Sequence, residues 1–338
     1  MAAGFMSSTA YADLGATGGF TAGDLVVSTV SGSVLDAASA VTLDQFSLSS
    51  NGTAATAAGS LTLAQTASGN NSAISGEYGS ASEGMLQQSV NGAYLTMVGY
   101  GVNAATFNSY GSATTSPYGA LALGQTTSLT AANQTGGSAL TTVSRVVALI
   151  GSDGSVDTST ALTGVFNTNN PRSVATVDGS SFYVSGQGVT GDTTQGVFYT
   201  TLGATTATAI DTSTDTRAVQ LVNNPSNATL ANPDGSTLYV SRDFSPTKTS
   251  TVTVNTANVS SLTTATGALP VSSTGVTDTI LTPGTDSSKG NQASINVTTA
   301  TSNGVNAAAL SSSNQGAGAT NRVGSFVYLS PEQYFFTS

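Results

Sequence analysis

A hairpin word recurs along this chain and constrains the fold more than any other feature. Residues 90 to 100 read VNGAYLTMVGY, residues 177 to 186 VDGSSFYVSG and residues 233 to 243 PDGSTLYVSRD. Each sets an Asx-Gly pair, Asn91-Gly92, Asp178-Gly179 or Asp234-Gly235, just before a β-branched and aromatic run. Asx-Gly is the strongest short-range hairpin signal, because a type I′ turn needs positive φ at both central residues and these types tolerate it. A further pair, Asp153-Gly154, follows the apolar run RVVALIG at 145 to 151. The word is therefore read as a building unit, strand then turn then strand, rather than as a site.

Other short runs carry the same signature: 24 to 30, 93 to 100, 181 to 186, 196 to 202, 217 to 222, 237 to 243 and 325 to 330, each bounded by Gly, Asn, Asp, Ser or Pro. None keeps a helical period, and good surface helix formers are scarce, with only Lys248 and Lys289 as lysines. The tracts SSNGTAATAAGS and TDSSKGNQASINVTTATSNG read as long loops or irregular outer strands.

Repetition over tens of residues is the mark of propellers and solenoids. With roughly 40 to 50 residues per blade, the chain holds about seven blades of an all-β propeller. A right-handed parallel β-helix also suits a Thr-, Asn- and Gly-rich chain, but its rungs would repeat at shorter and more even spacing. A pair of β-sandwiches would show short strands without a reason for the hairpin words to recur.

The words FTAGDLVVSTVSGS, SASEGMLQQSVNGAYLTMVGY, SRVVALIGSDGSVDTSTALTGVFNTNNPRSVATVDGSSFYVSG and SPEQYFF together resemble a large, mostly uncharacterised group of exported bacterial proteins read as β-propellers. The likeness runs with gaps from about residue 20 to the end, and it implies fold and export more than activity. In that group a SPEQYFF-like word is followed by a further strand, whereas this chain stops at Ser338, so 20–338 is expected to be one propeller domain, either truncated or closed by an abbreviated blade. Residues 1–19, with Ala10 and Ala12 in a small-x-small arrangement, read either as the residue of an export signal or as an ordinary flexible N-terminus.

Four of the five arginines, Arg145, Arg172, Arg217 and Arg322, each open an apolar β-run. If each began the inner strand of a blade, their planar forks would gather at a channel mouth and suit carboxylate, sulfate or acidic sugars. Otherwise each pairs with a nearby Asp or with backbone carbonyls and holds a sheet edge. Tyr94, Tyr183, Tyr239 and Phe182 lie in the hairpin strands, where alternation sends Phe182 and Tyr183 to opposite faces and into packing between adjacent sheets. Asp153 with Asp157, and Asp211 with Asp215, offer oxygen ligands in short loops without the spacing of a calcium loop, so they read as surface turns and no metal is expected.

The chain has no His, Cys or Trp, which removes imidazole bases, thiol nucleophiles, disulfides and thiolate metal sites. A net charge of −10 without a basic face argues against nucleic acid, and no apolar stretch reaches membrane-spanning length. The expectation is a non-catalytic secreted or cell-surface binding or adhesion scaffold without cofactors, its partner an extracellular glycan or another surface protein. Two alternatives stand beside it: a self-assembling subunit of a surface layer or filament, and a carboxylate-dependent polysaccharide-degrading enzyme, either a glycoside hydrolase or a polysaccharide lyase.

Overall fold

Each run read as a strand is one, and what the runs build is a set of open antiparallel sheets. The structure is a computed structural model describing residues 2–4, 19–50, 54–80, 83–110, 115–131, 140–189, 191–213, 215–243, 258–280, 325–330 and 333–337. The first sheet has nine strands: β1 (Ala2–Gly4), β2 (Leu25–Val30), β3 (Ala38–Leu48), β4 (Ala55–Thr62), β5 (Ser75–Glu77), β6 (Gln87–Gln88), β7 (Tyr94–Tyr100), β8 (Arg145–Gly151) and β9 (Val156–Leu162). Its main path runs β1-β2-β3-β5-β7-β8-β9, with β4 also on β3 and β6 also on β7.

Two four-stranded meanders follow. The second sheet runs β10 (Pro171–Ala175), β11 (Ser181–Gly186), β12 (Gly196–Thr201) and β13 (Thr208–Asp211); the third runs β14 (Asp215–Val222), β15 (Thr237–Asp243), β16 (Asn258–Thr264) and β17 (Val276–Ile280). A separate hairpin pairs β18 (Ser325–Ser330) with β19 (Gln333–Thr337).

This architecture corrects the propeller reading, and with it the likeness to exported propeller proteins and the scaffold built on it. The sheets are open; none closes or curls, and one of them carries nine strands instead of a blade's four. The parallel β-helix is overturned as well, since the register pairs in every sheet are antiparallel. The physical reason is that an Asx-Gly hairpin is a local object. It specifies two neighbouring antiparallel strands, and an open meander uses that instruction as well as a ring does.

Packing is in layers. Phe182 and Val184 of β11 join Val98, Val147 and Leu149 of the first sheet in one buried cluster, while Tyr183 joins Val219, Leu238, Val240 and Leu262 of the third sheet in another. Alternation along β11 thus buries both faces of the second sheet. Removing such a side chain from water contributes about 1.5–3 kcal/mol each, so β11 is a hinge of the core's energetics despite its six residues. The third main cluster lies within the first sheet, where Val26, Val41 and Leu43 meet Leu95, Met97, Val146 and Ile150. A polar contact ties the layers together: Ser173 Oγ of β10 donates to the carbonyl of Val219 in β14 at 3.2 Å, and the Gln87 amide beside β7 donates to both Ser173 and Val219.

The turns depart from type I′. Gly92, Gly154, Gly179 and Gly235 have positive φ, but the Asx residue before each does not. Instead the Asx side chain acts as an acceptor: Asp178 Oδ1 takes the backbone N–H and the hydroxyl of Ser180 at 2.9 and 2.6 Å, and Asp153 does the same with Ser155. Asp157, Asp192 and Asp211 repeat the pattern with Ser159, Thr194 and Ser213. Asp-x-Ser/Thr thus forms an Asx turn at five places, while at Asp234-Gly235-Ser236 the Ser236 N–H donates to Asn232 Oδ1 instead. At Gly235 a β-carbon would overlap the carbonyl oxygen of Asn224, while at Gly23, also at positive φ, it would meet nothing. Gly23→Ala should cost about 1–2 kcal/mol, the left-handed penalty alone, and Gly235→Ala clearly more, as read by thermal unfolding. Equal shifts would mean that the overlap is relieved by movement of residues 223–228.

Candidate functional site

Among the described residues few side chains are both charged and buried, and three of them are arginines read from the sequence as strand-opening. Arg145 is 0 % exposed, Arg172 1 % and Arg217 4 %. Arg172 and Arg217 occupy equivalent places, each at a register shift in the first strand of a four-stranded sheet. A bulge turns a side chain away from the regular alternation, which is how an arginine comes to lie inside a packed strand. Arg145 differs: it opens β8, a strand flanked by β7 and β9. The sequence word groups three arginines that the fold separates into two kinds. Arg322 lies outside the described residues.

Arg145 is spent on backbone. Its Nη1 donates to Val143 O and Thr126 Oγ1, both at 3.1 Å, and its Nη2 to Thr126 O, Phe166 O and Asn169 O at 2.6, 2.8 and 2.9 Å. Its guanidinium also sits 4.9 Å above the ring of Tyr100. Burial pulls its pKa down to about 10, opposed by the acidic groups nearby. Arg172 Nη2 pairs with Asp215 at 3.1 Å and donates to Gln187 Oε1 at 2.6 Å, joining the second sheet to the third.

Two carboxyls lie near these arginines, Glu83 and Glu77, and neither stands in a recurring hairpin word. Glu83 is half-buried as a residue, but its carboxyl is engaged: Oε1 accepts from the Tyr100 hydroxyl at 2.5 Å and from the Asn170 amide, and no donor reaches the buried Oε2. Burial first, and repulsion from Glu77 second, push its pKa up to about 8, so it is largely protonated at neutral pH. Glu77, 8 % exposed in β5, accepts the backbone N–H of Gly124 through Oε2. Burial raises its pKa too, with Asp36 adding and Gly124 and Arg145 opposing. Tyr100 is shifted well upward, chiefly by burial.

Beside this group lies a cavity of about 310 Å³. Val30, Val41, Met97 and Val98 form its apolar wall, and Ser28, Thr29, Ser80, Glu77 and Glu83 supply polar groups. Gly76, Gly79 and Gly84 with Tyr78 complete the lining and bring backbone close to the space. The rim is built by hydrogen bonds: Ser28 Oγ donates to Gly84 O at 2.5 Å and Thr29 Oγ1 to Asp44 Oδ2 at 2.8 Å. A sequence signal existed in the glycine-rich word SGEYGS, but only the pairing of β5 with β3 and β7 shows what those glycines stand beside.

The loop carboxylates considered for calcium are engaged elsewhere. Asp153, Asp157 and Asp211 each cap their own turn and Asp215 pairs with Arg172. Among the described residues no group of three acidic side chains is placed to hold a metal ion, and no helix is long and apolar enough to cross a membrane. Compared with protein-family models, curated proteins and solved structures, the chain matches none.

Proposed function

We propose that the protein binds a sugar residue of a glycan in the cavity lined by β2, β3, β5, β7, residues 78–80 and residues 83–84. The observation that carries this reading is the lining itself, which combines the apolar side chains of Val30, Val41, Met97 and Val98 with the hydroxyls of Ser28, Thr29 and Ser80 and the carboxyl of Glu77. Its volume falls at the lower end of small-molecule sites, which have this mix of apolar walls and few polar groups. A hydroxyl-rich ring with apolar C–H faces is complementary to both.

The reading is one of binding rather than turnover. Hydrolysis by paired carboxyls needs both of them to face the substrate, and the second oxygen of Glu83 is enclosed. This supports a protein that recognises a glycan without cutting it. An extracellular location fits that role and the small-x-small arrangement at Ala10 and Ala12.

Calorimetric titration with a panel of oligosaccharides tests the reading. Ser80→Phe, at a half-buried position of the lining, should block the cavity and lower affinity by about tenfold or more, about 1.4 kcal/mol. Binding that is unchanged in the folded variant places the ligand elsewhere.

A further inference from the structure

We infer that the sugar this cavity accepts carries a free amino group, so that an ammonium meets Glu77. The inference rests on the glycan reading above and narrows it to a chemical class.

The charge of the site points one way. The titratable carboxyls in the lining are Glu77 and Glu83, and the lining holds no Lys or Arg. The two nearest cations are committed: Arg145 to carbonyls on three sides, and Arg172 to Asp215 and Gln187. An anionic sugar would find no counter-charge there. A cation would find one, at a place where low polarisability of the walls strengthens the attraction.

A second observation concerns Glu77 alone. It is more than nine-tenths buried, lines the cavity and uses only Oε2, which holds Gly124 N–H. Among the described residues no donor reaches its Oε1, and that oxygen, unlike the enclosed Glu83 Oε2, is left accessible to the cavity as a free acceptor. An ammonium supplies a donor and a charge together. Glu83 stands behind without a donor on Oε2. The groups that act on this pair are Asp36, Tyr100, Arg145 and Arg172, none of which enters the lining.

The test compares a glucosamine oligomer, its N-acetylated counterpart and an oligogalacturonate, titrated into the whole protein at pH 6, where the amine is charged. The amine form should bind about tenfold tighter than the acetylated form, and Glu77→Gln, which keeps an acceptor for Gly124, should bring the two to parity. Equal binding of both forms by the unaltered protein, or tighter binding of the galacturonate, overturns the amine inference and leaves the glycan reading standing. A preference that survives Glu77→Gln also overturns it, assigning the effect to the overall charge of −10. Failure of all three sugars removes the glycan reading with it.

Discussion

Arg145→Met should destabilise the protein by about 3–5 kcal/mol, the cost of removing one partner from a buried charged network. The reason lies in what the guanidinium holds. It gathers the carbonyls of Thr126, Val143, Phe166 and Asn169 from three stretches of chain, all at a position with no exposure. Methionine fills much of the volume and supplies no donor, so four carbonyls are left to compete for none. Phe166 and Thr168 are also non-glycine residues at φ of 51° and 54°, a left-handed conformation that costs free energy unless neighbours enforce it. Losing Arg145 releases that segment. Urea unfolding measures the total loss, and amide exchange at residues 163–170 should rise first. Arg145→Lys should recover only part, because one ammonium with three donors cannot span acceptors that a planar fork reaches. A lysine variant as stable as the native protein would show that charge alone, not the fork, does this work.

Glu83→Gln should have the opposite sign above neutrality. The folded pKa of Glu83 is about 8 against 4.5 for the free side chain, so the native state holds a proton that the unfolded chain gives up. Its stability contribution is therefore full below pH 4.5, erodes as pH rises, and is lost once pH passes about 8. At 1.36 kcal/mol per pKa unit the erosion has a ceiling of about 5 kcal/mol, lowered by coupling to Glu77. Glutamine keeps the acceptor for Tyr100 and Asn170 and cannot ionise. The two proteins should thus be of similar stability at pH 5, and the glutamine variant the more stable at pH 9. The charged groups that set the size of the effect are Glu77, Tyr100, Arg145 and Arg172. Parallel stability curves across that range would show that Glu83 titrates normally and that its carboxyl is reached by water.

The two experiments address one structural point from both sides. Arg145 is a cation whose two terminal nitrogens are taken up by four carbonyls and the Thr126 hydroxyl, and Glu83 is an acid held neutral beside it. They do not pair, which is why a single deletion of either has a predictable sign. It is also why the cavity next to them keeps its acidic character, on which the amine preference depends.

Local patterning carried far into the fold. The strands at 145 to 151 and 181 to 186 begin and end where alternation and flanking turn residues place them, and Phe182 and Tyr183 point into different layers as period two requires. Outer strands such as β4, β9 and β17 were harder to see. Their Ala, Ser and Thr residues are partly exposed and give weak β signals, so pairing with an inner neighbour defines them more than composition does. The turn type was misread because Asx-Gly serves both a two-residue reversal and an Asx-capped loop. A serine or threonine two positions after the Asp accompanies the second in five places, and Ser236 after Asp234 shows that the neighbouring Asn232 can take over the acceptor's part.

The site is another matter. Glu77 and Glu83 are six residues apart on an unremarkable glycine-rich stretch, and nothing in their spacing marks them. They become a pair because β5 lies between β3 and β7, which brings Tyr100 and, across the layer, Asn170 against Glu83. Residue order decides strands, turns and which side of each strand is apolar, since those follow from dihedral preference and a period of two. Whether the strands close into a ring, which arginine is bulged inward and which carboxyl loses its water depend on contacts between segments tens of residues apart. Those energies belong to pairs of surfaces and are settled only when the sheets pack.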